Sequence, residues 1–355
     1  MKLDLRYRVA LVGCGDIAER GHLPALRRHP RFAVAAVCDA RPERAALLAE
    51  RAGGVPSMTD WRELLDRTDV DAAVLALPPE ASPDAAVAFL RRGIPVLDEK
   101  PLAADLAAGR RVARAVAESG VAYQVGFVLR YGDWVREVGR LARAIGTPAV
   151  IRIAVYDERL DRSDTAHFGR IQGFLRTSSA VTHEGSHAID YAGLWNPSPV
   201  VRGWAEAVRT APDFAGPNLW SAQLGLADGS LLRLEIGWLL PELPPCAVEI
   251  TGPDGHLALN PVTGRGTCRI GGREELLALP PMAPEWGRQY DAFAAAIDRG
   301  AAPEATVEDG LRALEVTKAC EESARGGETV RLEIHHHDTD IFSPRRTPCD
   351  TAADR

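Results

Sequence analysis

Three short stretches carry the residue types and spacings that could do chemistry. In GCGDIA (13–18), Gly13 and Gly15 are spaced for a tight turn that brings backbone N–H groups and a helix start onto a pyrophosphate, with Ala18 where a third glycine often sits. Asp39 ends the next apolar run, at the place where an acid takes ribose hydroxyls, and Arg41 follows two residues later. DEKPL (98–102) sets Glu99 and Lys100 at the end of a later apolar run, where open α/β sheets bind ligands. The chain holds only three lysines, Lys2, Lys100 and Lys318, against 39 arginines, so a lysine kept here invites a chemical reason. Its compact ammonium can shift its pKa, which a guanidinium cannot. Finally, HEGSHAID puts His183, His187 and Asp190 at i, i+4 and i+7, one face of a helix, so both imidazoles and the carboxylate should look into one cleft.

Such groups need elements to hold them. The 355 residues fit about two domains, and 46% hydrophobic with 26% charged residues is an ordinary globular composition. A net charge of −7 and the lack of any basic run argue against nucleic acid as a partner. No window approaches the roughly 20 apolar residues of a membrane span, and the charged start has no cleavage site, so a cytoplasmic protein is expected. Six scattered cysteines without a CxxC pair read as reduced thiols.

Along the chain, apolar runs at 8–15, 32–39, 70–79, 95–101 and 121–127 alternate with helical periodicity at 42–52, 83–92 and 105–119. That alternation predicts a doubly wound parallel sheet over residues 1–125. Beyond a helix near 132–145 the strands lengthen and lose their intervening helices, which predicts an α+β unit over 126–334 with an open, mostly antiparallel sheet. Asp228-Gly229 and Asp254-Gly255 sit between apolar runs as hairpin turns, and helices are expected over 285–299 and 306–324, the second capped by Thr306. Residues 335–355, with His335, His336 and His337, read as an extended or disordered tail.

In this order the segments resemble the family of glucose-fructose oxidoreductase, inositol dehydrogenase and the rhizopine-catabolism protein. The likeness runs from GCGDIAERGHLPAL through VCDARPERA, TDWRELL, LALPP, DEKPL and VGFVLRY to GSHAIDYAGLW and TVEDGLRALEVTKACEESARGGETVRL. It implies a Rossmann domain followed by an open sheet whose exposed face often joins copies of the chain, hence a homo-oligomer, dimer or tetramer. It implies hydride transfer between a nicotinamide and a secondary alcohol or ketone carbon of a sugar, cyclitol or derivative. Lys100 and His187 map onto the family's lysine and histidine. His183 stands where many members carry an aspartate, and Ser82 where a histidine often follows the third-strand proline.

The expected cofactor residues are Gly13, Gly15, Asp16, Ile17, Asp39, Arg41, Leu77, Pro78, Glu99 and Lys100. The carboxylate of Asp39 favours NAD over NADP, while Arg41 leaves NADP open. The expected catalytic residues are Lys100, stabilising a developing alkoxide, His187 as general acid/base and His183 as a neutral positioning group. Lys100, Arg130, His183, His187 and Asp190 would face the substrate, with Arg130 equally suited to pairing with a carboxylate.

Other readings of the same residues are a nucleotide-binding regulator that has lost the chemistry, or a glycosidase using a tightly held nicotinamide. HEGSH also matches the H-E-x-x-H zinc pattern, with Glu206 at a third-ligand spacing, but Gly185 weakens the helix and Pro197 and Pro199 interrupt the path to Glu206. No metal is therefore expected. His22, His29, His167 and His256 have no partner spacing and read as surface or capping residues, and Trp195, Trp204, Trp220 and Trp238 as sheet packing.

Overall fold

The computed structural model describes residues 6–300 and 302–333; the tail expected at 335–355 and Cys349 lie outside the described residues. The first layer comprises β1 (Tyr7–Val12), α1 (Leu23–Arg28), β2 (Phe32–Cys38), α2 (Pro42–Arg51), β3 (Ser57–Met58), β4 (Ala72–Leu75), α3 (Ser82–Arg91), β5 (Val96–Asp98), α4 (Leu106–Ser119) and β6 (Tyr123–Val125). Its strands run parallel in the order β3-β2-β1-β4-β5-β6. Helices cover both faces, which is why Val9–Val12 and Ala72–Leu75 are continuous apolar runs, all buried, with no alternation. The order reverses between β1 and β4, so the carboxyl ends of β1, β4 and β5 share one rim, the usual ligand position of such sheets.

The second layer begins with α5 (Asp133–Ile145), β7 (Val150–Tyr156), α6 (Thr165–Thr177) and α7 (Ala180–Trp195). It continues through β8 (Val200–Val208), β9 (Leu219–Leu226), β10 (Leu231–Gly237), β11 (Ala247–Gly252), β12 (Gly255–Asn260), β13 (Arg265–Ile270) and β14 (Arg273–Ala278). The chain then forms α8 (Trp286–Arg299), α9 (Val307–Gly326) and β15 (Val330–Arg331). The sheet order is β14-β13-β12-β11-β7-β10-β9-β8-β15. Its pairs are antiparallel except β7 with β10, in mid-sheet, because two helices and two strands intervene and return the chain in the same direction. Alternation sets the two faces: Ala205, Ala222, Leu224, Leu232 and Leu234 point under the helices, while Arg202, Trp204, Gln223 and Arg233 point away. Trp195, Trp220 and Trp238 are buried as packing residues, whereas Trp204 is 38% exposed on the open face.

Two features revise the sequence expectation. The second hairpin turns on Pro253-Asp254, with Gly255 already paired to Gly252, while the first does use Gly229, at φ 89°. After the second sheet the chain also returns to the first layer: α8 sends Tyr290 and Phe293 into the cluster of Leu11, Phe32 and Val37, and the Phe293 ring stacks on Phe32 at 5.8 Å between centroids. The helix expected from Thr306 is α9, with a reciprocal cap between Thr306 and Asp309. Among the described residues no helix is long and apolar enough to cross a membrane.

Candidate active site

The dinucleotide turn leaves β1 at Val12 and enters a helix at Asp16. Gly13 has φ +90°, and a Cβ there would lie 2.2 Å from the Ala76 carbonyl oxygen, so the protein itself demands glycine. At Gly15 a Cβ would meet nothing within 4 Å. The open space above Gly15 is the cradle a pyrophosphate requires, at the N-terminus of a helix whose dipole favours anions. Asp39 is already organised over this turn, accepting from the Cys14 N–H at 2.8 Å and from the Arg41 N–H at 2.9 Å. Ile17 is 42% exposed beside it, Arg41 is exposed, and Leu77 and Pro78 follow β4 on the opposite side of the turn. These residues fit a dinucleotide.

The helix then widens into a π turn over Ala18–His22. His22, expected at the surface, is fully buried: Nδ1 meets the Tyr290 hydroxyl at 2.8 Å and Nε2 meets Glu99 Oε1 at 3.1 Å. The second Glu99 oxygen accepts from the Lys100 N–H at 3.2 Å. Glu99 thus faces the interior as a brace between the dinucleotide helix, α8 and the Lys100 backbone. His29 is likewise buried, against Asp291. Ser82 lies deep in the layer and donates to Asp98, which also accepts from Tyr123 at 2.7 Å; burial pushes the Asp98 carboxyl up to about 7.

Lys100 leaves this scaffold half-buried and donates from Nζ to the His183 carbonyl oxygen at 3.3 Å, joining β5 to α7. The whole HEGSHAID segment is helical in α7, started by Ser179, whose hydroxyl accepts from the Thr182 N–H, so Gly185 does not interrupt it. His183 and His187 are both buried on the Lys100 side. His183 packs between the rings of Phe174 and Trp238, with centroids at 4.9 and 5.5 Å; burial, reinforced by Lys100, lowers it to about 3, so the ring is neutral. His187 is lowered by the same causes together with His183, and its Nδ1 has no hydrogen-bond partner.

Asp190 does not join the histidines. Its carboxylate is paired with Arg130, which also reaches Asp309 at 3.0 Å and the Glu304 carbonyl oxygen, and both side chains are at least 96% buried. Of the two readings of Arg130, the structure supplies the partner carboxylates. The HExxH residues share a helix with Glu206 far along on β8, and among the described residues no group of three or more His, Cys, Asp or Glu is placed to hold a metal ion.

Sequence reasoning passed over the residues after β7. Glu158 adopts a left-handed φ of 53°, with its carbonyl accepting from the Leu239 N–H at 2.8 Å. Its carboxylate stands 3.4 Å from His167 and 3.5 Å from Arg170, and Arg170 reaches 3.4 Å to Asp16 on the dinucleotide turn. Helix α6, which carries His167 and Arg170, therefore bridges the second layer to the dinucleotide turn. Its signal was present in Asp164, whose carboxylate caps the helix at the His167 N–H.

Comparison with known proteins agrees with this fold. The profile of an oxidoreductase family with an NAD-binding Rossmann fold matches residues 7–127, and that family's C-terminal alpha/beta domain matches 176–332. The chain is 30% identical over 346 residues to inositol 2-dehydrogenase 2 of Saccharopolyspora erythraea, covering 93% of this chain and 96% of that protein. It is 25% identical over 345 residues to D-apiose dehydrogenase of Paraburkholderia graminis, covering 92% and 90%. In fold it resembles the crystal structure of myo-inositol 2-dehydrogenase from Lactobacillus plantarum, with a TM-score of 0.79 at 22% identity over 92% of this chain and all of that one. The chain belongs to the glucose-fructose oxidoreductase, inositol dehydrogenase and rhizopine-catabolism protein family of NAD-binding oxidoreductases.

Proposed function

We propose that this protein moves a hydride between a nicotinamide dinucleotide and a secondary alcohol or ketone carbon of a sugar, cyclitol or derivative. The observation that carries the reading is the junction of Lys100 with α7: an ammonium fixed at the His183 carbonyl oxygen, beside His187, on the rim that the dinucleotide turn shares. When bound, the nicotinamide supplies or accepts the hydride. The protein's part is to hold the substrate oxygen. Lys100 offers positive charge to an alkoxide as it develops, and His187, neutral, offers a hydrogen bond to the same oxygen. His183 fills the wall against Phe174 and Trp238 and keeps its neighbours in register. NAD is the expected cofactor because Asp39 would face the 2′-phosphate of NADP, and like charges close together repel.

Inositol and D-apiose dehydrogenases among the relatives make polyhydroxylated rings and aldoses the substrates to try first. The test is absorbance of reduced nicotinamide with myo-inositol, D-apiose and D-xylose, using NAD and NADP in parallel. Turnover of one of them supports the reading; tight nucleotide binding with no turnover on any polyol or ketose would favour a nucleotide-binding regulator. The outward face of the second sheet, with Trp204 beside Arg202 and Gln223, supports a homo-oligomer formed through that face, whose stoichiometry sedimentation reads.

A further inference from the structure

The site has ample hydrogen-bonding groups but a shortage of places to put a proton. Oxidising an alcohol releases one proton for each hydride, and some group must take it. Lys100 is a cation that already donates to the His183 carbonyl. His183 is wedged between two aromatic rings. His187 has no partner at Nδ1 to steady an imidazolium, because Asp190, the carboxylate that could have done so, is committed to Arg130. A buried histidine without a counter-charge holds a proton poorly.

Glu184 is different. It lies on α7 between the two histidines, three residues before His187 and seven before Tyr191, hence on the adjoining stripe of the same side. The residue is half-buried, and among the described residues its carboxylate makes no hydrogen bond or ion pair. The Lys100 ammonium after β5 and Asp157 and Glu158 after β7 act on it, and it acts in turn on Tyr191 of α7 and Cys246 before β11. In the resemblance set out above, an aspartate often stands at position 183; here that position is a histidine and the acid stands one residue later.

We infer that Glu184 is the proton acceptor and donor of the hydride-transfer reaction, working beside Lys100, with His187 as a neutral hydrogen-bond partner of the reacting oxygen. This rests on the proposed function. As the substrate C–H bond breaks and its electron pair passes to the oxidised nicotinamide, the O–H proton passes to the Glu184 carboxylate and the carbon–oxygen double bond forms. In the reverse direction the carboxylic acid returns that proton to the alkoxide. Burial raises the Glu184 pKa above that of an ordinary glutamate, in the direction a base working near neutrality needs, with Lys100 opposing and Asp157 and Glu158 adding to the shift.

The test compares wild type, Glu184→Gln and Glu184→Asp as the NAD-bound protein. Infrared difference spectra between about pH 5 and pH 9 should show, beside the bands of Asp98 and Asp190, a further protonated-carboxyl band in wild type that Glu184→Gln lacks. On whichever of myo-inositol, D-apiose or D-xylose is turned over, Glu184→Gln should lower kcat on the order of 10²-fold and remove one limb of the pH profile. Glu184→Asp should restore part of both, and NAD affinity, read by fluorescence titration, should stay within about twofold, since losing an acid/base group need not disturb binding. A band unchanged in Glu184→Gln, or near-full turnover with an intact profile, overturns the assignment. A band that disappears in Glu184→Gln while wild type turns over none of the three polyols supports the proton site and retires the polyol reading alone.

Discussion

In the proposed reaction Lys100 carries the charge, and the structure explains how so flexible a side chain is made precise. Its backbone N–H is held by Glu99, which is itself fixed by His22, and its Nζ is held by α7. Removing the ammonium should therefore act on the transition state more than on the scaffold. Lys100→Met is expected to lower kcat on the order of 10²- to 10³-fold with NAD affinity nearly unchanged, as for other preorganised donors to developing negative charge; near-full turnover would sink the assignment. Asp98, two residues earlier, gives a stability prediction. Its folded pKa of about 7 lies above the ordinary aspartate value of about 3.9. The folded chain therefore keeps a proton that the unfolded chain has lost over that window, so this group's contribution to stability falls as pH rises from about 4 to about 7. Asp98→Asn removes the titration, and its Tm relative to wild type should rise between about pH 5 and pH 8. A Tm difference that does not change with pH would show that Asp98 titrates normally.

At the scale of elements, the two glycines of the turn separate what the fold needs from what the ligand needs. Gly13→Ala forces a Cβ against the Ala76 carbonyl at positive φ, so both Tm and NAD affinity should fall, the strain alone costing about 1–3 kcal/mol. Gly15→Ala meets no protein atom, so Tm should hold while NAD affinity drops. Thermal melts beside NAD titrations check the pair, and equal losses of Tm would erase the distinction. The strand-turn-helix around these glycines was legible because parallel strands are apolar throughout and their breaks are sharp. Elements with weak patterning were not: α6 lacked a long apolar stripe, and the β13–β14 hairpin is mostly exposed, so RGTCRI and REELLA show little alternation. The site was read in part for a similar reason. Helical spacing places His183, His187 and Asp190 on one face, but spacing cannot say that Arg130, sixty residues away, takes the carboxylate out of the cleft. Nor could it show that His22 is a buried brace, since the partners Glu99 and Tyr290 lie 77 and 268 residues distant.

The whole molecule is less divisible than two consecutive family domains suggest. After the second sheet α8 packs on the first layer, against β2 through Phe32, while α9 bridges α4 and β6 of the first layer to α7 and β8 of the second. Tyr290 and Phe293 are completely buried there, and burying each large apolar side chain contributes about 1.5–3 kcal/mol. A typical domain has only about 5–15 kcal/mol of net stability. Removing α8 would uncover Phe32 and Leu11 and strip His22 of its Tyr290 partner, leaving a buried imidazole half-satisfied beside Glu99. A fragment of residues 1–127, which contains the NAD-binding family match at 7–127, should therefore fail to melt cooperatively and should bind NAD weakly. The same fragment joined by a flexible linker to residues 285–300, which carry α8, should recover a cooperative melt and dispersed amide resonances. If residues 1–127 alone give a sharp thermal transition and a dispersed spectrum, α8 is an accessory to the first layer and its aromatic contacts are worth far less than their burial implies.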